Sequence, residues 1–257
     1  MPRRSVIAAI AFWAVCILLA AGFATLAVWT AREYYLPGDR SVTFGVQELY
    51  RYTWADRLFE QANRAGDVLV LSIVFTALVA VLAVRRRFLE ATIVIGASLS
   101  QLAPGAVSAA VERPDAQYTA MREAFDGLLH PRIYPSPGGF PSGHVFGEVL
   151  AYGLIFWLAG RALPRPVALP LRMACVLAVA AGFVAPLYLG AHWFTDALGG
   201  ALLALLVLML CWRAERMLRR DREVVRVEDL LAEPRDESGL PLARETASRQ
   251  ETAAGNP

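Results

Sequence analysis

Long stretches of this chain carry almost no charge, and that pattern constrains its fold more than any other feature. Six such stretches fall at residues 5–31, 68–84, 88–111, 143–159, 170–190 and 195–212. Each is close to the roughly 17–25 apolar residues that a helix needs to cross a bilayer. In hydrocarbon every backbone N–H and C=O must be bonded within the protein, so such runs fold as helices. Of the 257 residues, 56% are hydrophobic and 19% charged, whereas soluble domains are about 45–50% apolar and about 25% charged. The excess excludes a soluble single domain and a disordered chain. The expected fold class is all-α: a polytopic membrane protein with six transmembrane helices.

The charges between the runs set the expected orientation. All 25 basic residues are Arg. Arg3 and Arg4 precede the first run, and Arg85, Arg86 and Arg87 join the second and third. Arg161, Arg165 and Arg172 lie around the fourth connection, and Arg213, Arg216, Arg219 and Arg220 follow the sixth run. With six spans these clusters share one side, which the positive-inside rule places in the cytoplasm. Both termini are then cytoplasmic, in a multi-pass protein of the cell (inner) membrane. The first run is about twice the apolar core of a signal peptide and reads as an uncleaved anchor. Three regions follow: 1–65, an N-terminal transmembrane helix and extracytoplasmic loop; 66–212, a five-helix membrane core; and 213–257, a charged cytoplasmic tail. The tail reads as a helix over 213–226 and as disordered from about residue 233. In the loop 32–67, Phe44, Leu49, Tyr52, Leu58 and Phe59 alternate with charges. That fits a helix lying in the interface or an ordered loop packed on the spans. Cys16, Cys175 and Cys211 lie in separate apolar runs, with neither a disulfide framework nor metal-ligand spacing. No cofactor, metal, nucleic acid or soluble protein partner is expected.

Two segments on the outer side carry the candidate chemistry. Gly138-Gly139-Phe140-Pro141-Ser142-Gly143-His144 leads into the fourth span. A helix start presents N–H groups without helical acceptors and makes an anion site. Ser142 adds a hydroxyl, Gly143 admits an anion close to the backbone, and His144 can exchange a proton with the bound group. The second segment contains His192 and Asp196, four residues apart. If this stretch is helical, the two share a face. A carboxylate on one imidazole nitrogen leaves the other nucleophilic. Topology puts both segments at one membrane face, which points to phosphoryl transfer. His192 attacks phosphorus, Asp196 holds His192, and His144 protonates the leaving oxygen. Glu148, one turn beyond His144, either orients His144, makes the site acidic, or bonds to a neighbouring span.

On these residues the chain resembles the phosphatidic acid phosphatase type 2 superfamily of membrane lipid phosphatases, relatives of the vanadium haloperoxidases. The family's motifs are Lys-x6-Arg-Pro, Pro-Ser-Gly-His and Ser-Arg-x5-His-x3-Asp. The second is complete at Pro141–His144, and the third is matched at His192 and Asp196. The resemblance covers about residues 66–212 and implies an outward-facing site acting on a membrane lipid substrate. The departures concern cations. Family Ser-Arg falls on Ala185 and Pro186. Aligning Arg113-Pro114 with the first motif's Arg-Pro puts Ala106 at the Lys position; aligning it with an earlier Arg-Pro pair puts Ser108 at Lys and Asp115 at Arg. At most one of the family's three cationic phosphate ligands remains. Arg113 and Arg132 are the candidates to bind phosphate beside Ser142 and Gly143.

The leading expectation is therefore a lipid phosphate or pyrophosphate phosphatase working through a phosphohistidine. A lipid phosphotransferase of the sphingolipid-synthase type is the close alternative, since it needs two His and one Asp without the same Arg pattern. A lipid-binding pseudophosphatase is the third reading, motivated by the missing cations. An intramembrane serine protease using Ser142 and His192 explains Asp196 less well.

Overall fold

The computed structural model describes residues 3–32, 36–111, 113 and 139–232. Their regular structure is helical throughout, without a strand among the described residues. The order is α1 (Arg3–Thr30), α2 (Asp39–Gln47), a 3-10 turn (Glu48–Arg51), α3 (Thr53–Ala65), α4 (Val68–Val84), α5 (Phe88–Leu99), a 3-10 turn (Ser100–Leu102), α6 (Ala103–Val111), α7 (Gly143–Ala162), α8 (Arg165–Tyr188) and α9 (Phe194–Ala232). The expected disorder from about residue 233 lies outside the described residues.

Among the described residues, five helical stretches are long and apolar enough to cross a membrane, and a sixth is counted if α3 and α4, bent by 57°, form one broken span. The protein is thus a multi-pass, all-α membrane protein. The third apolar run contains a break that the sequence reading did not place. It passes from α5 through Ser100–Leu102 into α6, whose second residue is Pro104. Proline lacks an N–H and is best accommodated in the first turn of a helix, which suits a new helix starting there.

The chain divides into two units, Met1–Arg213 and Ala214–Pro257. The second continues α9, where Glu215 accepts from Arg219 one turn later. In the first, α7 is central: 56% of its apolar stretch is buried, against 11% of α1. Val145, Phe146, Leu150 and Leu154 of α7 pack with Leu71 and Phe75 of α4, Val94 of α5, Leu187 of α8, and Ala197 and Ala204 of α9. Close approach is built in: a Cβ on Gly153 of α7 would lie 2.4 Å from Leu208 of α9.

The segment between α1 and α4 is both helical and packed on the spans. Ala55 and Phe59 of α3 bury against Ala185, Tyr188 and Leu189 at the end of α8. The Tyr188 hydroxyl donates to Asp56, and Gln47 of α2 donates to the Leu187 carbonyl at 3.1 Å. Tyr50, Tyr52, Trp54 and Leu58 remain exposed on its other side, as aromatic side chains do at a membrane–water interface.

Candidate active site

The site forms where the starts of α4, α7 and α9 meet the ends of α6 and α8. Its shape begins with how α8 stops. Gly190 has φ +70°, a left-handed conformation that glycine takes without a Cβ penalty. Its N–H donates to Leu187 O at 3.2 Å, and the N–H of Ala191 donates to Pro186 O at 2.8 Å. This pairing is a Schellman motif, which satisfies the last helical carbonyls and reverses the chain. Pro186 O also accepts from the N–H of His192 at 3.2 Å. Thus Pro186, at a family arginine position, holds the backbone of the candidate nucleophile.

His192 does not lie in a helix. The helix begins at Phe194, so the shared helical face imagined from the spacing is replaced by a turn. Asp196 occupies the first turn of α9, and its Oδ2 accepts from the Trp193 N–H at 2.9 Å. That is half of a capping box, and it suits a carboxylate near the positive end of the helix dipole. The same Oδ2 lies 3.8 Å from His192 Nδ1, within ion-pair range and beyond hydrogen-bond length. His192 is 9% exposed and Asp196 fully buried.

The Pro-Ser-Gly-His segment joins this turn through the backbone. Ser142 caps α7: its Oγ accepts from the Val145 N–H at 3.4 Å, the usual duty of a serine N-cap. Its own N–H donates to Asp196 O at 3.0 Å. The approach needs glycine on the facing helix, since a Cβ on Gly200 would lie 2.4 Å from Ser142 O. A Cβ on Gly139 would lie 3.2 Å from Asp196 Oδ2. Ser142 is fully buried, whereas Gly143 is exposed at the helix start. His144 is partly exposed, and its Nε2 lies 3.2 Å from Asp67 Oδ1. The two imidazoles, His144 and His192, are within electrostatic reach of one another.

Arg113 is placed differently from a phosphate ligand open to the site. Its side chain is completely buried between two carboxylates. Nη2 donates to Asp39 Oδ2 at 2.8 Å, and Nη1 donates to Thr195 Oγ1 at 3.0 Å and to Asp196 Oδ1. Asp39 also accepts from the N–H groups of Leu36 and Thr195, at 2.9 and 2.8 Å. Arg132 lies outside the described residues. Glu148 is buried without a bond to His144: a Cβ on Gly182 of α8 would lie 1.3 Å from its Oε2, and one on Gly66 would lie 2.8 Å from its Oε1. Its Oε2 has no hydrogen-bond partner among the described residues.

Asp39, Asp67 and Thr195 are the members of this site that the sequence reading missed. Asp67 carried a faint signal, being an acid immediately ahead of an apolar run. Below the site, a cavity of about 520 Å3 runs between α4, α6 and α7, lined by Val68, Leu71, Phe75, Leu102 and Pro104, with His144 in its wall.

Comparison with known proteins places the chain in a family. The family model of the PAP2 superfamily matches residues 91–220. Phosphatidylglycerophosphatase B of Bacillus subtilis (strain 168) is 32% identical over 96 residues, which cover 36% of this chain and 47% of that protein. The chain thus matches about half the length of this curated relative. The fold is similar to the crystal structure of a transmembrane PAP2-type phosphatidylglycerolphosphate phosphatase from Bacillus subtilis, with a TM-score of 0.63, 19% identity, and coverage of 79% of this chain and 96% of that one. The family match spans both candidate motifs and the helices that bring them together, and this chain belongs to the PAP2 superfamily.

Proposed function

We propose that this protein is a membrane lipid phosphatase that hydrolyses a lipid phosphate or pyrophosphate through a phosphohistidine on His192. The observation that carries the reading is the convergence of His192, Asp196 and His144 around the exposed start of α7, beside an apolar cavity. The cavity suits an acyl chain, and the helix start suits a phosphate.

The steps balance simply. His192 Nε2 forms a bond to phosphorus as the bond from phosphorus to the leaving oxygen breaks. His144 gives that oxygen a proton. The imidazole becomes cationic, and Asp196, beside Nδ1, compensates the charge. Water then attacks phosphorus while giving a proton to His144, the N–P bond breaks with its electron pair returning to His192 Nε2, and inorganic phosphate leaves. By the positive-inside rule the site faces outward, with both termini in the cytoplasm. Ser142 contributes by capping α7, which orients the N–H groups of Gly143 and His144. Arg113 supports the carboxylate of Asp196.

The test is phosphate release by detergent-purified protein, with His192→Ala as the blank. Phosphatidylglycerol phosphate comes first, because the similar protein from Bacillus subtilis is named for that activity; phosphatidic acid and undecaprenyl pyrophosphate follow. Release that is lost in His192→Ala supports the reading. Release that persists in the variant overturns it. Transfer of the phosphorus group to an added alcohol, with no free phosphate, identifies a phosphotransferase instead.

A further inference from the structure

The phosphatase reading leaves Asp39 without a task, although it is fully buried in the same polar cluster. Asp39 belongs to α2, in the segment before the membrane core, and Arg113 follows α6. Among the described residues, Asp39 and Asp196 are two carboxylates facing the one guanidinium of Arg113. Thr195 bridges two of them: its hydroxyl accepts from Arg113 Nη1 at 3.0 Å and lies 2.8 Å from Asp39 Oδ1, to which it donates its only proton.

The count of charges matters because the cluster is dry. Buried charges interact more strongly than exposed ones, and an unmatched one is costly. If Arg113 faced Asp196 alone, the pair would be neutral and would offer the imidazole little. With Asp39 on the other arm, the described members of the group, two carboxylates and one guanidinium, carry an excess negative charge. His192 Nδ1, 3.8 Å from Asp196 Oδ2, is placed to carry the compensating positive charge. That is the charge His192 gains when its Nε2 bonds to phosphorus.

We propose that Asp39 is a positioning residue for His192: by taking one arm of Arg113, it leaves Asp196 with negative charge for the imidazole. The role acts through Arg113 and Thr195, without contact between Asp39 and substrate, and it rests on the phosphohistidine reading. Among the described residues, Asp196 of α9 is the charged group in ion-pair range of His192, Arg113 after α6 and Asp39 of α2 stand behind it, and His144 of α7 acts on the site electrostatically.

The chain has three histidines, so 15N-histidine NMR of the full-length protein in detergent micelles can follow each one, with His192→Ala assigning the resonance. Asp39→Asn removes a negative charge, and the His192 titration midpoint falls by about one pH unit. Arg113→Gln removes a positive charge, and the midpoint rises by a similar amount. The double variant restores the balance and returns the midpoint to that of the wild type. In parallel, Asp39→Asn lowers kcat about tenfold with KM within about twofold. Midpoints that stay put, or that move the same way in both single variants, overturn the proposal. An unchanged kcat in Asp39→Asn does so as well. If Asp39→Asn does not fold, the double variant decides: a midpoint equal to that of Arg113→Gln overturns the role of Asp39. Phosphate release that is absent from the wild type, or that persists in His192→Ala, shows separately that the phosphatase reading has failed.

Discussion

The N–H of Ser142 donates to the carbonyl of Asp196 at 3.0 Å, so the capped start of α7 and the first turn of α9 are joined directly. The bond ties the proposed phosphate cradle to the carboxylate beside His192. It is made possible by Gly200, where a Cβ would lie 2.4 Å from Ser142 O and 3.2 Å from Phe146 N. Both are backbone atoms within a capped helix turn and have little freedom to yield. Gly200→Ala is expected to lower stability by about 1–3 kcal/mol and to depress activity by separating the two turns. Thermal unfolding in detergent and phosphate release check this. Gly96→Ala, at a helical site with nothing within 4 Å, is expected to keep wild-type activity and to gain up to about 1 kcal/mol of stability.

Asp196→Asn is expected to cut kcat by about 10²–10⁴. The amide keeps the shape of the side chain but loses the charge that faces His192 and Arg113. Single-turnover measurements should show the loss in formation of the phosphoenzyme. A wild-type rate of formation would break the proposed pairing.

His144→Gln is expected to slow turnover of a natural lipid phosphate by about 10²–10⁴, the usual worth of a general acid. The loss should shrink sharply for a synthetic ester whose leaving group needs no proton. Asp67→Asn, which changes the partner of His144 Nε2, should cause a smaller loss of the same kind. Equal losses on both esters would show that His144 does not protonate the leaving oxygen.

Gly182 and Glu148 provide a packing test. A Cβ on Gly182 would lie 1.3 Å from Glu148 Oε2, so Gly182→Ala alone forces the acid out of its place. Overpacking of this kind costs about 1–3 kcal/mol. Pairing it with Glu148→Ala should recover most of the loss, since the side chain that the new methyl meets is gone. A double-mutant cycle on melting temperature measures the coupling. Additive losses would mean that the two residues do not touch.

Local pattern was enough to determine several elements. Apolar runs had to become helices because no other backbone conformation satisfies itself in lipid. The helix start at Ser142 and Gly143 could be read from their nearest neighbours alone, whereas the turn at Gly190 could not, since that residue closes an apolar run. The chemistry of His192 and Asp196 could be read from residue type and spacing, although the turn that actually carries His192 could not. Tertiary structure alone decided which distant groups meet. Asp39 and Asp67 come from the two ends of one loop between apolar runs and Arg113 from another, and nothing local in the sequence says which of them meet. Arg113 reads as a phosphate ligand until its guanidinium is found between Asp39 and Asp196. The physical reason is the difference in range. Helix formation and capping are set within a few residues by backbone geometry and solvent, whereas the partner of a buried charge is set by which helix ends pack together.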